Sequence, residues 1–377
     1  MSKHKPIKFH TYPYMLDKLR KKDLIIDSNT IAIEILKTRG YYNLINKYKS
    51  EFYIPGTTRF KENTSLTDFY WYQRLEDDLR NILFKFTITF EKKVKESMAF
   101  ILAKEFGVSI NDYLDPYKFR NKSKAISITN NLKKSIESCL NNPTLYYKNE
   151  YGDVPPWIML SNITLGQTRM LFSIFPKKLT SYVVYEMLPT KANDSRSIRV
   201  PSRLDYYVMD FMHYSHKDME NDHVFNKATQ KWVSLLIEFY RNMFTLINEF
   251  RNNLAHGNRL MHYYSRQELK YSHISIYASE KVISKNEFFE KSLGKKDLFA
   301  FMMSLIITLD RYDSLYLIEQ LSAWKATNTS APDTKKVFDS FITSCGLPSD
   351  FIERLKKIEV EKTNKQANKE FEEKYGF

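Results

Sequence analysis

Apolar residues recur every third or fourth position along three intervals that contain neither glycine nor proline, 57–106, 202–256 and 295–331. In the first, Leu75, Leu79, Ile82, Phe86, Phe90, Val94, Met98 and Ile101 keep that step, and Glu105 continues it as a polar position. In the second, Trp232, Leu236, Phe239, Met243, Ile247, Phe250 and Leu254 do the same. In the third the stripe runs Leu298, Phe301, Leu305, Leu309, Tyr312, Leu315, Ile318 and Leu321. A side chain returns to one side of an α-helix about every 3.6 residues, so each stripe predicts a helix with one buried face. Ser65 and Thr67-Asp68 offer N-caps to the first helix, and Gly257 offers a stop to the second.

Signals for a sheet are missing by contrast. No Asn-Gly or Asp-Gly turn joins two alternating segments, and the one alternating run, His273 to Tyr277, reads as a short extended piece. The fold class is therefore all-α, a helical bundle with additional N-terminal helices and a charged C-terminal tail. Loops fall at 53–61, 107–115, 141–156, 189–201 and 326–334, and the two central ones serve best as boundaries. They divide the chain into an N-terminal helical region 1–150, a helical region 151–330 and a charged tail 331–377. Charges alternate from Leu355 to Lys374 with few apolar anchors, as in a solvated helix or a frayed end. The most apolar run, Leu298 to Leu309, is bounded by charges and too short to span a bilayer, so it reads as a buried helix. The first residues lack the apolar core of a signal peptide. A cytoplasmic protein without membrane partners is the expectation.

Charge adds a partner class. With 58 Lys and Arg against 44 Asp and Glu, the chain carries +14, which favours polyanions through counterion release and steering but does not distinguish RNA, DNA and anionic lipid. The two cysteines, Cys139 and Cys345, are far apart. They supply neither a disulfide framework nor a Cys-rich zinc site.

The densest candidate chemistry lies where the second stripe ends, at Glu249-Phe250-Arg251-Asn252-Asn253-Leu254-Ala255-His256-Gly257. Arginine is a permanent planar cation that matches phosphate oxygens, and histidine exchanges protons near neutral pH. RNA can be cut by its own 2′-hydroxyl, so such a site supplies no nucleophile and needs no metal. It needs a base for the hydroxyl, an acid for the departing 5′-oxygen, and positive charge for the phosphorane. Asn252 suits hydrogen bonding to the phosphate or holding one histidine tautomer. Five residues along a continuous helix turn about 140°, so Arg251 and His256 do not share a face. Either the helix breaks near Asn252-Asn253, or the pair acts alongside groups from elsewhere. One chain supplies one such histidine, and a two-fold dimer would complete an acid and base set; His262 or His273 is the alternative within the chain. The bland reading stays open too: His256 sits at a helix end, where it favours the dipole, and Arg251 pairs with Glu249 or a neighbour.

Other constellations are weaker. His213, His216 and His223 with Asp210, Asp218 and Asp222 match no established zinc spacing and read as a solvated turn. No Walker loop, dinucleotide glycine fingerprint or nucleophile elbow is present. No cofactor is called for. Basic residues interleave with aromatics at Tyr117 to Lys124, where Lys118, Arg120 and Lys122 are candidate RNA contacts, and again at Lys18 to Lys22. Arg259 and Arg266 follow His256 closely and are further candidates.

With Arg251-Asn252-x3-His256 in view, the chain resembles ribonucleases of the HEPN superfamily. More closely, it resembles the abortive-infection Abi-like proteins of bacteria (the AbiD/AbiF group). The likeness is carried by Gly40 to Tyr48, by the long stretch Thr67 to Glu91, by Pro156-Trp157 with Leu165-Gly166-Gln167, and most specifically by Arg251 to Leu260. It covers most of residues 10–325. Leu165 stands where an aromatic residue is expected before the glycine, and Gly257-Asn258 after the histidine is a second departure. The resemblance implies a HEPN-type bundle and metal-independent endoribonuclease activity in anti-phage defence, restrained by an antitoxin RNA or protein. It also implies catalysis by Arg251 and His256 with Asn252 accessory. Two rivals remain at this point: a structured-RNA-binding module that grips phosphate without cutting, and a protein-interaction scaffold.

Overall fold

The computed structural model describes residues 8–189 and 223–362, with the side chains of the segment after 222 described from Gln230 onward. Helices come in the order α1 (Tyr12–Arg20), α2 (Asn29–Arg39), α3 (Lys47–Phe52), α4 (Leu66–Phe106), α5 (Ile110–Tyr113) and α6 (Lys122–Glu137). There follow α7 (Thr144–Tyr151), α8 (Pro156–Asn162), α9 (Leu165–Ser173), α10 (Lys177–Met187) and α11 (His223–Ala255). The last are α12 (Tyr271–Ile274), α13 (Lys285–Phe289), α14 (Leu298–Thr308), α15 (Arg311–Asn328), α16 (Pro332–Ser344) and α17 (Phe351–Glu361). A π-helical turn at Tyr42–Asn46 and a 3-10 turn at Pro116–Lys118 complete the set. Among the described residues, β-pairing is limited to two isolated bridges, Ile25 with Ser65 and Tyr53 with Phe60. The protein is all-α.

Two compact units emerge. Of the described residues, the first holds 8–81, 259–262 and 322–349, and the second 82–189, 223–258, 263–321 and 350–362. The first has an aromatic core. Phe69 packs against Phe52 at 4.4 Å and Phe60 at 5.6 Å between ring centres, and Tyr72 against Phe341 at 5.5 Å. Its polar centre is Glu76, wholly buried. That carboxylate accepts from the Tyr48 hydroxyl at 2.6 Å and the Leu260 amide at 2.6 Å, and pairs with Lys47 and Arg80. Burial and the neighbouring Glu76 charge push the Tyr48 phenol far above its usual range, so it serves as a donor.

The second unit is built around α14 and α11. Every residue of α14 is buried, as its continuous apolar sequence requires. Helices α11 and α17 both pack on it, with Phe250 stacked on Phe301 at 4.6 Å. Trp232, Phe239, Met243 and Phe250 are all buried, as the α11 stripe predicts. Ser65 starts α4 with a reciprocal cap: its hydroxyl accepts from the Asp68 amide at 3.2 Å, and Asp68 accepts from the Ser65 amide at 2.7 Å.

Three expectations need correction. The third apolar stripe is not one helix: α14 ends at Leu309, whose backbone is extended (ψ 153), before α15 begins. Tyr312 and Leu315 are consequently exposed. The run His273 to Tyr277 is helix and turn, because its amides bond to carbonyls three and four residues back. Leu355 onward is neither frayed nor fully solvated as far as Glu361, since α17 buries Phe351, Ile352, Leu355 and Ile358. No helix among the described residues is long and apolar enough to cross a membrane.

Candidate functional site

The Arg251–His256 motif occupies the C-terminal end of α11. The helix does not break at Asn252-Asn253; it continues to Ala255, and His256 is the first residue beyond it. The ending is a Schellman motif. The Asn258 amide bonds to the Asn253 carbonyl at 3.1 Å and the Gly257 amide to the Leu254 carbonyl at 3.2 Å, while Gly257 takes the left-handed conformation with φ +64. A third bond, from the His256 amide to the Asn252 carbonyl at 3.1 Å, fixes the histidine backbone. Because the helix persists past Arg251, the 140° offset between arginine and histidine is real.

The offset sends Arg251 toward α4. Its Nη2 lies 3.5 Å from Oε2 of Glu91. The other oxygen of Glu91 accepts from Lys95 at 2.7 Å, and Lys95 also donates to the Ile163 carbonyl at 2.6 Å. Glu91 and Lys95 are both buried, so the carboxylate is held by two cations and itself fixes the arginine. Glu249, the nearer carboxylate in sequence, is otherwise engaged: it accepts from the Ser265 hydroxyl at 2.8 Å and the Arg266 amide at 2.7 Å. Arg251 Nε is buried with no acceptor among the described residues. Asn252 and His256 are exposed. One turn earlier, Asn248 is buried, its Oδ1 3.7 Å from where a side chain on Gly166 would begin. That contact places the Leu165-Gly166-Gln167 segment against α11. A capping box starts the segment's helix, in which Thr164 and Gln167 satisfy each other's amides.

The basic residues singled out from sequence each have their own surroundings. Lys118 donates to the Asp112 carbonyl at 2.9 Å, Arg120 reaches the Ser173 carbonyl at 3.4 Å, and Lys122 lies over the Tyr117 ring at 5.7 Å. Arg259, in the first unit, pairs with Glu51, which also contacts His262 at 3.2 Å. Arg266 is exposed. His273 is buried against Phe239 at 5.5 Å, and burial lowers its pKa, so it stays neutral near pH 7. Asp210, His213, His216, Asp218 and Asp222 lie outside the described residues, as does the side chain of His223. Among the described residues no three His, Cys, Asp or Glu side chains converge as metal ligands.

Sequence reasoning missed Glu91 as the partner of Arg251. In the sequence the glutamate is only the end of a resembling stretch, and nothing local joins two residues so far apart in the chain.

Residues 34–262 match the family model described as Abi-like protein. No curated protein and no solved structure matches the chain.

Proposed function

Because the chain belongs to the Abi-like protein family, we propose that it is a metal-independent endoribonuclease of the HEPN type, acting in abortive infection. The observation that supports this reading is the end of α11. There an arginine ion-paired to a buried carboxylate is followed in the chain by an exposed asparagine, and an exposed histidine ends the helix. In the proposed reaction a base removes the proton of the 2′-hydroxyl, and the 2′-oxygen attacks the adjacent phosphorus. Arg251 stabilises the pentavalent phosphorane. The bond to the 5′-oxygen then breaks, and an acid protonates that oxygen, leaving a 2′,3′-cyclic phosphate and a 5′-hydroxyl. His256 fills one proton role. The second comes from His256 of another copy, so that two motifs around a two-fold axis make one site. An antitoxin RNA or protein would restrain this activity by covering the same groups.

The test is incubation of RNA with the full chain in EDTA, followed by analysis of the new ends. Cyclic phosphate ends, with His256→Ala slower by roughly 100-fold or more, support the reading. A requirement for a divalent ion, or a His256→Ala chain as active as the parent, rejects it. If His256→Ala keeps RNA affinity and the parent never cuts, the protein grips RNA without cleaving it.

A further inference from the structure

A group of arginines in the second unit lacks the carboxylates that other buried or partly buried arginines possess. Arg80, Arg251 and Arg354 each face a glutamate. Among the described residues, Arg169 on α9 and Arg241 on α11 face none: neither makes an ion pair or a hydrogen bond there, and the Nε of each is buried without an acceptor. Both side chains are only partly exposed. Arg120 stands close enough to Arg241 for their charges to interact. Its amide bonds to the Ile174 carbonyl at 2.8 Å, and its Nη2 to the Ser173 carbonyl at 3.4 Å.

Helices α9 and α11 run in opposite directions. Gly166 meets Asn248 near one end of the seam, and Phe172 meets Tyr240 and Phe244 at 5.5 and 5.8 Å near the other. The Arg241 guanidinium lies 5.9 Å from the centre of the Phe172 ring, one residue from the carbonyl that Arg120 holds. Arg169 is one turn before Ser173, rotated only about 40° from it. Burial and the Arg120 charge together lower the Arg241 pKa. A half-buried cation without a counter-charge is unfavourable, and a second cation beside it makes matters worse. An anion supplied from outside would relieve both.

We propose that Arg120, Arg169 and Arg241 form a subsite for backbone phosphates of single-stranded RNA. The planar forks of guanidinium groups match phosphate oxygens, and the buried Phe172 ring supports one fork from below. A polymer fits better than a free nucleotide because of what else α11 carries. Arg241 and the exposed Asn252 are eleven residues apart, which leaves them within about 20° on one side of the helix. That line ends beside the Arg251–His256 pair, about 17 Å along the axis from Arg241. A strand anchored on the arginines therefore reaches the motif. The proposal rests on the reading of this chain as an RNA-acting protein, and its test separates the two.

The full chain is titrated against a labelled oligonucleotide of 2′-O-methyl RNA, which cannot be cut through its 2′-oxygen, at several salt concentrations. Arg169→Gln and Arg241→Gln should each weaken binding roughly tenfold, the worth of a hydrogen bond between charged groups. Each should also flatten the plot of log affinity against log salt by about one unit. Arg241→Lys should keep the slope while losing part of the affinity. Unfolding temperatures of the Gln variants should match or exceed the parent, since like charges are removed. Unchanged affinity and slope in both Gln variants would overturn the subsite. So would inorganic phosphate or a mononucleotide competing as well as RNA at equal phosphate concentration. A parent chain that binds, responds to these substitutions and never cuts ordinary RNA rejects the nuclease reading alone. Cutting that continues with both Gln variants binding normally rejects the subsite alone.

Discussion

Glu91→Ala offers the sharpest test of how the Arg251 side chain is held. The substitution removes the carboxylate between Lys95 and Arg251. Glu91 is 8 % exposed and Lys95 9 %, whereas the Arg251 side chain is 24 % exposed. Removing one member of a buried ion pair costs about 3–5 kcal/mol, because the other charge is left unpaired. Lys95 keeps its bond to the Ile163 carbonyl, and Arg251 has some access to water, so the lower end applies: about 3 kcal/mol. Glu91→Gln still offers Lys95 an acceptor and should lose about half of that. Replacing Glu91 and Lys95 together by methionine should cost less than Glu91→Ala alone, since only the partly exposed Arg251 is then left without its carboxylate. Urea unfolding of each full-length variant measures these differences, with the denaturant slope checked for constancy. A Glu91→Ala chain within about 0.5 kcal/mol of the parent would refute the reasoning, since that is the scale of an ordinary surface change. Costs for Glu91→Ala and Lys95→Ala that simply add in the double variant would refute it too.

Other consequences can be measured in the same way. Gly257→Ala meets no atom within 4 Å but must hold φ +64, so it should cost only the backbone penalty of about 1–2 kcal/mol. Gly294→Ala, at φ +77 with Ile283 Cδ1 only 2.5 Å from the new carbon, adds overpacking and should cost about 3 kcal/mol or more in urea unfolding. Burial raises the Asp297 pKa to about 6 although its carboxylate caps α14. The folded chain therefore binds a proton that the unfolded chain has released, and this contribution to stability is lost as pH rises from about 4 through 6. Relative to Asp297→Asn, the parent should lose roughly 3 kcal/mol across that window; parallel pH profiles would contradict this. Sedimentation of the active species should give twice the chain mass, and full cleavage by a strict monomer would end the two-copy proposal.

Periodicity made the long helices legible because burial of one face leaves a mark on every turn. It placed α11 and its glycine stop, and it put Trp232, Phe239, Met243 and Phe250 inside. It failed at Leu309, where the three-four rhythm carries across an extended residue that ends one helix before the next begins. It also misread His273 to Tyr277, where a few residues satisfy a two-residue alternation by chance. Arg251, Asn252 and His256 stood out because they are close in sequence. Glu91, Lys95, Arg169 and Arg241 did not, because each is a single polar residue in a helix, and what it does depends on which helix comes to lie against it.

The Schellman ending of α11 also determines what His256 can do on its own. Three backbone bonds fix the main chain from Asn252 to Asn258, so the imidazole retains only the rotations about its own two side-chain bonds. A catalytic histidine on a loose loop would lose much of its conformational freedom whenever substrate arrived. Here that ordering has already happened during folding. The histidine sweeps a small arc above the helix end, and under the proposed cleavage an RNA substrate would have to bend to bring a 2′-oxygen into that arc. Discrimination between targets would then follow from how readily each RNA adopts that bend, with pliable unpaired stretches favoured over stacked duplex.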